Sequence, residues 1–220
     1  MKRDPTERLN KTAIIHDPYH FEKRLWNEGF HRVMGLDEVG RGCLAGPVVA
    51  AGVILDPGHR VPGITDSKKL GPAQRTVIAE EIRRHSIFWT VASCDIQEID
   101  SLNILKASLR AMEKCVERAE PAPDFLLIDG NKSLKTMIIP SQTIIKGDDL
   151  SVSIGAASIL AKVYRDGYMS GLHQQFPEFG WDKNVGYPTA FHYEALRLYG
   201  FTPHHRTTFR LRTKQPYREE

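Results

Sequence analysis

The sequence predicts an α/β domain built on five strands, with a small helical part at its C-terminal end. Three observations carry this reading. Short, β-branched apolar runs recur along the chain, longer stretches with helical periodicity separate them, and 41% hydrophobic against 26% charged residues suits a domain with a buried core. At 220 residues the chain can bury such a core without disulfide or metal staples.

Residues 1–19 mix Lys, Arg, Asp, Pro and Asn without periodicity and read as a flexible lead. Phe21, Leu25 and Trp26 mark a short helix closed by Gly29. Val33 to Leu36 runs into Asp37 and Glu38 as a first strand, and Pro47 to Leu55 supplies a second, long and β-branched, that suits a hairpin with it. Gly71 to His85 carries Val77, Ile78 and Ile82 among charges, as an amphipathic helix should. Ile87 to Cys94 is a third strand. Asp100 to Ala119 reads as one long helix, with Leu102, Leu105, Leu109, Met112 and Val116 on one stripe and Asp100-Ser101 as its cap. Phe125 to Asp129 and Gln142 to Lys146 are the fourth and fifth strands, and Ser151 to about Phe176 is helical again. Pro177 and Gly180 then punctuate the chain, dividing it into the lead at 1–19, a main domain at 20–176 and an extension at 177–220.

With 30 Lys+Arg against 27 Asp+Glu, the net charge of +3 does not by itself announce a nucleic-acid partner. Composition excludes disorder, collagen-like repeats and a disulfide scaffold. Cys43, Cys94 and Cys115 match no metal or redox spacing and read as free thiols of a reducing compartment. With no signal-peptide core and no long apolar run, the expectation is a cytoplasmic protein that does not span a membrane.

Chemistry enters at the strand ends. Asp37 and Glu38 close the first strand, Asp129 closes the fourth, and Asp148 follows the fifth after Lys146-Gly147. Ligands of α/β sheets gather at the carboxyl ends of strands, so acids from separate strands can converge there. Converging carboxylates repel one another and call for a cation, and oxygen-only ligands favour Mg²⁺ or Mn²⁺. Two such ions about 3.5–4 Å apart would clamp a phosphodiester during in-line displacement. Strand-terminal acids also simply mark where chain meets solvent, a reading as good as the other for any one of them and weaker for four in concert. Neighbouring strand residues point to opposite faces, so Asp37 and Glu38 can share a site only if the strand ends or is irregular there. Gly40-Arg41-Gly42 is either an ordinary turn or a backbone that approaches phosphate with an Arg fork beside it.

GLDEVGRGCLAGPVVAAGVIL at 35–55 resembles the signature of ribonuclease HII, the bacterial type 2 ribonuclease H. TDSKKL at 65–70, DSLNILKASLRAM at 100–112, LLIDGN at 126–131, IIKGDDLSVSIGAASILAKVYRD at 144–166, GYPTAFH at 186–192 and HRTTF at 205–209 look like further blocks of that family, in its order. The resemblance implies a ribonuclease H-like fold, a central mixed sheet flanked by helices with a helical C-terminal part. It places four metal-binding acids on Asp37, Glu38, Asp129 and Asp148. Asp148 is preferred to Asp149 because it directly follows Gly147 and stands 18 residues before Asp166.

The activity implied is hydrolysis of the RNA strand of RNA–DNA hybrids and cutting 5′ of a single ribonucleotide in duplex DNA, leaving a 3′-hydroxyl and a 5′-phosphate. By resemblance, Gly40, Arg41 and Gly42 meet the ribose 2′-hydroxyl and adjacent phosphates, and Tyr187 packs on the sugar of the neighbouring deoxynucleotide. Lys162 and Arg165 fall on the substrate side, though by spacing alone they are a solvated helix face. The Asp66-Ser67-Lys68-Lys69 loop is expected to hold the substrate backbone, Lys68 foremost. Ser158 and Asn131 are supporting residues, and His192 is equally a structural partner of its turn. Departures from the family pattern are Cys43 where proline is common, Gly155 where alanine is common, and Pro188 beside Tyr187. The rival reading within the enzyme class is ribonuclease HIII, which carries a sizeable extra N-terminal domain and lacks the arginine between the glycines; here 36 residues precede Asp37, and Arg41 is present, which favours ribonuclease HII. A hybrid-binding module without catalysis would need a lost acid. The expected partners are RNA–DNA hybrid and ribonucleotide-containing duplex, bound by a monomer, and residues 201–220 supply a basic tail but no sliding-clamp docking motif.

Overall fold

A computed structural model describes residues 17–65 and 67–209. Strands β1 (Val33–Val39), β2 (Val48–Leu55), β3 (Ser86–Cys94), β4 (Phe125–Asp129) and β5 (Ser141–Ile144) form one sheet in the order β3-β2-β1-β4-β5. The first three make an antiparallel meander, and β4 and β5 add parallel to β1, so the sheet is mixed.

Helices cover both faces, which is why β2 reads as an unbroken apolar run rather than an alternation. Met34, Leu36, Val48, Ala50 and Ile54 face α4 (Ile104–Glu117) through Ala107, Ala111, Met112 and Cys115. Val49, Ala51, Val53 and Leu55 face the other way, onto Ala79 and Ile82 of α2 (Pro72–His85) and Ala156, Ala157 and Leu160 of α6 (Val152–Gln175). Helix α1 (His20–Asn27) closes the β1 end with Leu25 against Val33 and Leu127.

The stretch read as one helix from Asp100 is two. Helix α3 (Ile96–Leu102) is capped by Asp95, which accepts from Glu98 N–H at 2.8 Å, and Asn103 then turns the chain at φ 68°. The Asn103 side chain caps α4 by accepting from the Leu105 and Lys106 amides. Asp100 therefore sits inside α3, where its carboxylate accepts from the Thr207 and Thr208 hydroxyls at 3.0 and 2.6 Å. Leu105, read as core, is 36% exposed, and α4 buries Ala107, Ser108, Ala111, Met112, Cys115 and Val116 instead. In α2 the buried residues are Arg75, Ala79 and Ile82, while Val77 is exposed.

The expected lead is folded at 17–19: Tyr19 is buried, its hydroxyl accepts from Val61 N–H, and Pro18 O accepts from Val152 N–H. The rest of that lead, and the basic tail from 210 on, lie outside the described residues. After α6 come a 3-10 turn (Pro177–Phe179), α7 (Trp181–Asn184) and α8 (Ala190–Tyr199). They pack on α6 around Phe179 and Trp181, with Met169, Leu172 and Leu44. The chain then returns to the sheet, where His205 bridges to Ala45. Among the described residues no helix is long and apolar enough to cross a membrane.

Candidate active site

Strands β1 and β4 run parallel with Leu36 opposite Ile128, so the next residues, Asp37 and Asp129, come level at the carboxyl ends of adjacent strands. Past β5, Lys146 in the left-handed region turns the chain into α5 (Gly147–Leu150), whose first turn holds Asp148 and Asp149. Gly147 N–H donates to Asp129 Oδ1 at 2.7 Å and ties that turn to β4. β1 continues regularly to Val39, with Glu38 paired to Ala50, so the irregularity expected at Asp37-Glu38 is absent. The site instead straddles the strand. Asp37 points to α6, where the neighbouring Ser158 hydroxyl favours its charged form, and Glu38 points to α4, lining a cleft of about 190 Å³ with Ser108, Met112, Asp129 and Asn131.

The acids nevertheless act on one another. Burial holds Asp37 well above the usual carboxylate range, and the charges of Glu38, Asp129 and Asp148 push it further. Burial also raises Glu38, against the opposing hydrogen bond and charge of Arg41, with Asp129 adding to the rise. Asp129 is raised by burial and by Asp148, against the Gly147 N–H. Two cations meet the cluster: Arg41 Nη1 lies 3.0 Å from Glu38 Oε1, and Lys68 Nζ lies 3.2 Å from Asp148 Oδ2. Both cationic side chains are exposed, 49% and 75%, and such pairs are worth about 0–1 kcal/mol, so a divalent ion readily displaces them. Among the described residues no three His, Cys, Asp or Glu side chains are drawn to metal-holding distance. The donor set still fits a hard divalent cation: it is oxygen only, and its mutual repulsion is unrelieved at the buried Asp37.

The family model of ribonuclease HII matches residues 34–215. The chain belongs to the ribonuclease HII family. It is 50% identical over 193 residues to the ribonuclease HII of Salinibacter ruber, covering 86% of this chain and 96% of that protein. It is 50% identical over 201 residues to that of Ruegeria pomeroyi, covering 91% and 86%. Among solved structures, it resembles a chain of the PCNA:RNase HII complex from Archaeoglobus fulgidus with a TM-score of 0.72 at 26% identity, covering 84% of this chain and 98% of that one. The ribonuclease H2 of Pyrococcus horikoshii OT3 gives 0.70 at 26% identity, covering 81% and 93%. The ribonuclease H-like fold expected from the sequence is therefore shown, and the protein is an endoribonuclease of the ribonuclease H kind.

Around the acids of this ribonuclease HII, Gly40 opens the turn after β1 at φ +93°, and a Cβ there would fall 2.3 Å from Arg165 Nε, so only glycine fits. Gly42 borders Tyr187, whose ring carbon Cε1 would stand 3.8 Å from a Cβ placed on that glycine. Tyr187 is half-exposed and lies beside the Cys43 side chain. Lys68 reaches the acids through Asp148, and Ser67 Oγ lies 3.0 Å from Ser158 Oγ, linking that loop to Asp37; Asp66 lies outside the described residues.

Two expected substrate residues are placed differently. Arg165 is fully buried, and its guanidinium donates to the Pro47, Val185 and Ala45 carbonyls at 3.0, 2.8 and 3.0 Å, so it faces main chain and has no solvent-exposed surface to turn to a phosphate. Lys162 gives its ammonium to Asp166 at 2.6 Å and is mostly covered. Both shape the site from beneath. The Val185 carbonyl that Arg165 holds belongs to a β-branched residue at φ 42°, a conformation costing about 1–3 kcal/mol unless its surroundings fix it. Sequence reasoning missed Arg206, which is buried and donates to the Gly46 and Arg41 carbonyls, clasping the Gly40–Gly42 turn from behind. Its place in the HRTTF block was the available signal.

Proposed function

We propose that this ribonuclease HII hydrolyses the RNA strand of RNA–DNA hybrids and cuts 5′ of single ribonucleotides in duplex DNA, leaving a 3′-hydroxyl and a 5′-phosphate. The observation that carries the reading is that Asp37 and Asp129 come level at the ends of adjacent parallel strands, with Glu38 next in chain and the turn holding Asp148 tied to Asp129 through the Gly147 N–H, an arrangement in which the acids raise one another. Two divalent ions, Mg²⁺ or Mn²⁺, would supply the charge that polarises the scissile phosphate and activates water. Asp37, Glu38, Asp129 and Asp148 hold those ions, and Asn131 and Lys132 wall the cleft beside them. The Gly40-Arg41-Gly42 turn presents main chain and a half-exposed guanidinium to the 2′-hydroxyl and its phosphates. Tyr187, flush with Gly42, offers its ring to the next, deoxy, sugar.

Residues 20–176 act as the catalytic domain and 177–220 as an extension that carries Tyr187. The enzyme acts as a cytoplasmic monomer in ribonucleotide and primer removal. The test is cleavage of duplex DNA holding one ribonucleotide, run beside a long hybrid, with Mg²⁺, with Mn²⁺ and with neither. Metal-dependent cutting on the 5′ side of the ribonucleotide is expected, and Tyr187→Ala should impair that substrate more than the hybrid. Metal-independent cutting, or equal loss on both substrates in Tyr187→Ala, would sink the respective assignment.

A further inference from the structure

Beneath Tyr187 lies a polar chain closed off from solvent. His192 and His205 are 0% and 1% exposed, and their Nε2 atoms stand 3.0 Å apart. Trp181 Nε1 donates to the same His192 Nε2 at 3.3 Å. His192 Nδ1 lies 3.0 Å from the Tyr187 carbonyl oxygen. At the other end, Thr202 N–H donates to His205 Nδ1 at 3.0 Å.

These contacts admit one arrangement of protons. Trp181 is a donor only, and the Tyr187 carbonyl an acceptor only. His192 Nε2 must therefore be unprotonated, accepting from Trp181 and from His205 Nε2–H, and the His192 proton sits on Nδ1 and donates to Tyr187 O. His205 Nδ1 accepts from Thr202. The opposite tautomers would face N–H against N–H at Trp181 and lone pair against lone pair at Tyr187. Every polar atom is used with both rings neutral, and an extra proton on either ring breaks a bond. Burial lowers both rings in agreement, His205 to about 4. His204, whose ring meets Trp181 edge-on, also disfavours charge on His205; Tyr199 against Phe179 and the neighbouring Arg206 complete the titratable surroundings.

The chain joins two segments that touch the proposed substrate. One end holds Tyr187, whose loop is also pinned where Leu44 N–H donates to Gly186 O at 2.7 Å. The other end lies on the returning segment, where His204 O accepts from Gly46 N–H and Arg206 N–H donates to Leu44 O, just behind the Gly40–Gly42 turn.

We propose that His192 and His205 are positioning residues, a neutral two-histidine strut that runs from the Tyr187 carbonyl to Thr202, is braced midway by Trp181, and sets the height of Tyr187 over the Gly40–Gly42 turn and so the preference for a ribonucleotide–deoxynucleotide junction. This rests on the junction role given to Tyr187 above. Ring ¹⁵N NMR of the full-length protein near neutral pH reads the strut directly: His192 should be protonated at Nδ1 alone and His205 at Nε2 alone. In kinetics, His192→Leu removes the donor to Tyr187, and KM for the single-ribonucleotide duplex should rise about tenfold with kcat and long-hybrid cleavage within about twofold. His192→Asn keeps an N–H near the Nδ1 position and should restore KM, even though both variants lose thermal stability. The opposite tautomers, a charged ring, or parallel loss on both substrates that Asn fails to rescue would overturn the strut. Tyr187→Ala in the same assays separates the two ideas. If it alters neither substrate, the role of Tyr187 falls and the proposal with it; if it alters the junction substrate while His192→Leu does not, only the strut falls.

Discussion

At the ends of β1 and β4, burial and neighbouring acids hold Asp37, Glu38 and Asp129 above the usual carboxylate range. Under the Tyr187 loop, the more deeply buried Arg165 and Arg206 have their guanidinium groups laid on main-chain carbonyls, and the His192–His205 pair spends every nitrogen on a partner. Both regions bring ionisable groups out of water. One leaves acids that raise one another, a repulsion that a proton or a bound cation relieves; the other leaves no like charges facing each other. Acids that crowd one another mark the candidate site, and buried cations bonded to backbone mark what supports it.

Mutation should break the two regions in opposite ways. Asp129→Asn is expected to cut the cleavage rate by about 10³-fold or more, because it removes a group aimed at charge in the reaction. Thermal unfolding of that variant without metal should occur at the same or a higher temperature, since one repulsion is gone; a large fall in Tm would place Asp129 with the scaffold instead. Arg165→Met should do the reverse, destabilising by about 3 kcal/mol in urea unfolding as three carbonyls lose their donor. The salt dependence of hybrid binding should keep its slope in Arg165→Met, whereas loss of a phosphate contact would lower the slope by about one.

A smaller and more specific effect separates the regions by pH. His205 has a folded pKa of about 4 against an ordinary 6.5, so the unfolded chain binds a proton that the folded one refuses. That contribution is present in full above pH 6.5 and is lost as pH falls towards 4, up to about 3 kcal/mol. His205→Gln should flatten the stability curve in that window, and an unchanged slope would show that His205 takes up its proton as readily in the fold as in the unfolded chain.

Most of the sheet was legible because β-branched runs between turn residues are a local signal, and the strand-end acids could be found by looking where those runs stop. The break at Asn103 was hidden because the apolar stripe continues in phase across it; the clue was an Asn at a helix junction, a residue that tolerates the left-handed region and caps well. Arg165 was read on the substrate side for a related reason. Its helix position follows from spacing, but its partners at 45, 47 and 185 come from loops that only the tertiary fold brings beneath it. Val77 illustrates the same limit in the other direction, an apolar residue in the right period on the wrong side of its helix.

Arg206 clasps a turn whose Arg41 carbonyl lies 165 positions earlier in the chain. A nascent polypeptide therefore displays all four acids long before it owns the residue that fastens the Gly40–Gly42 turn behind them.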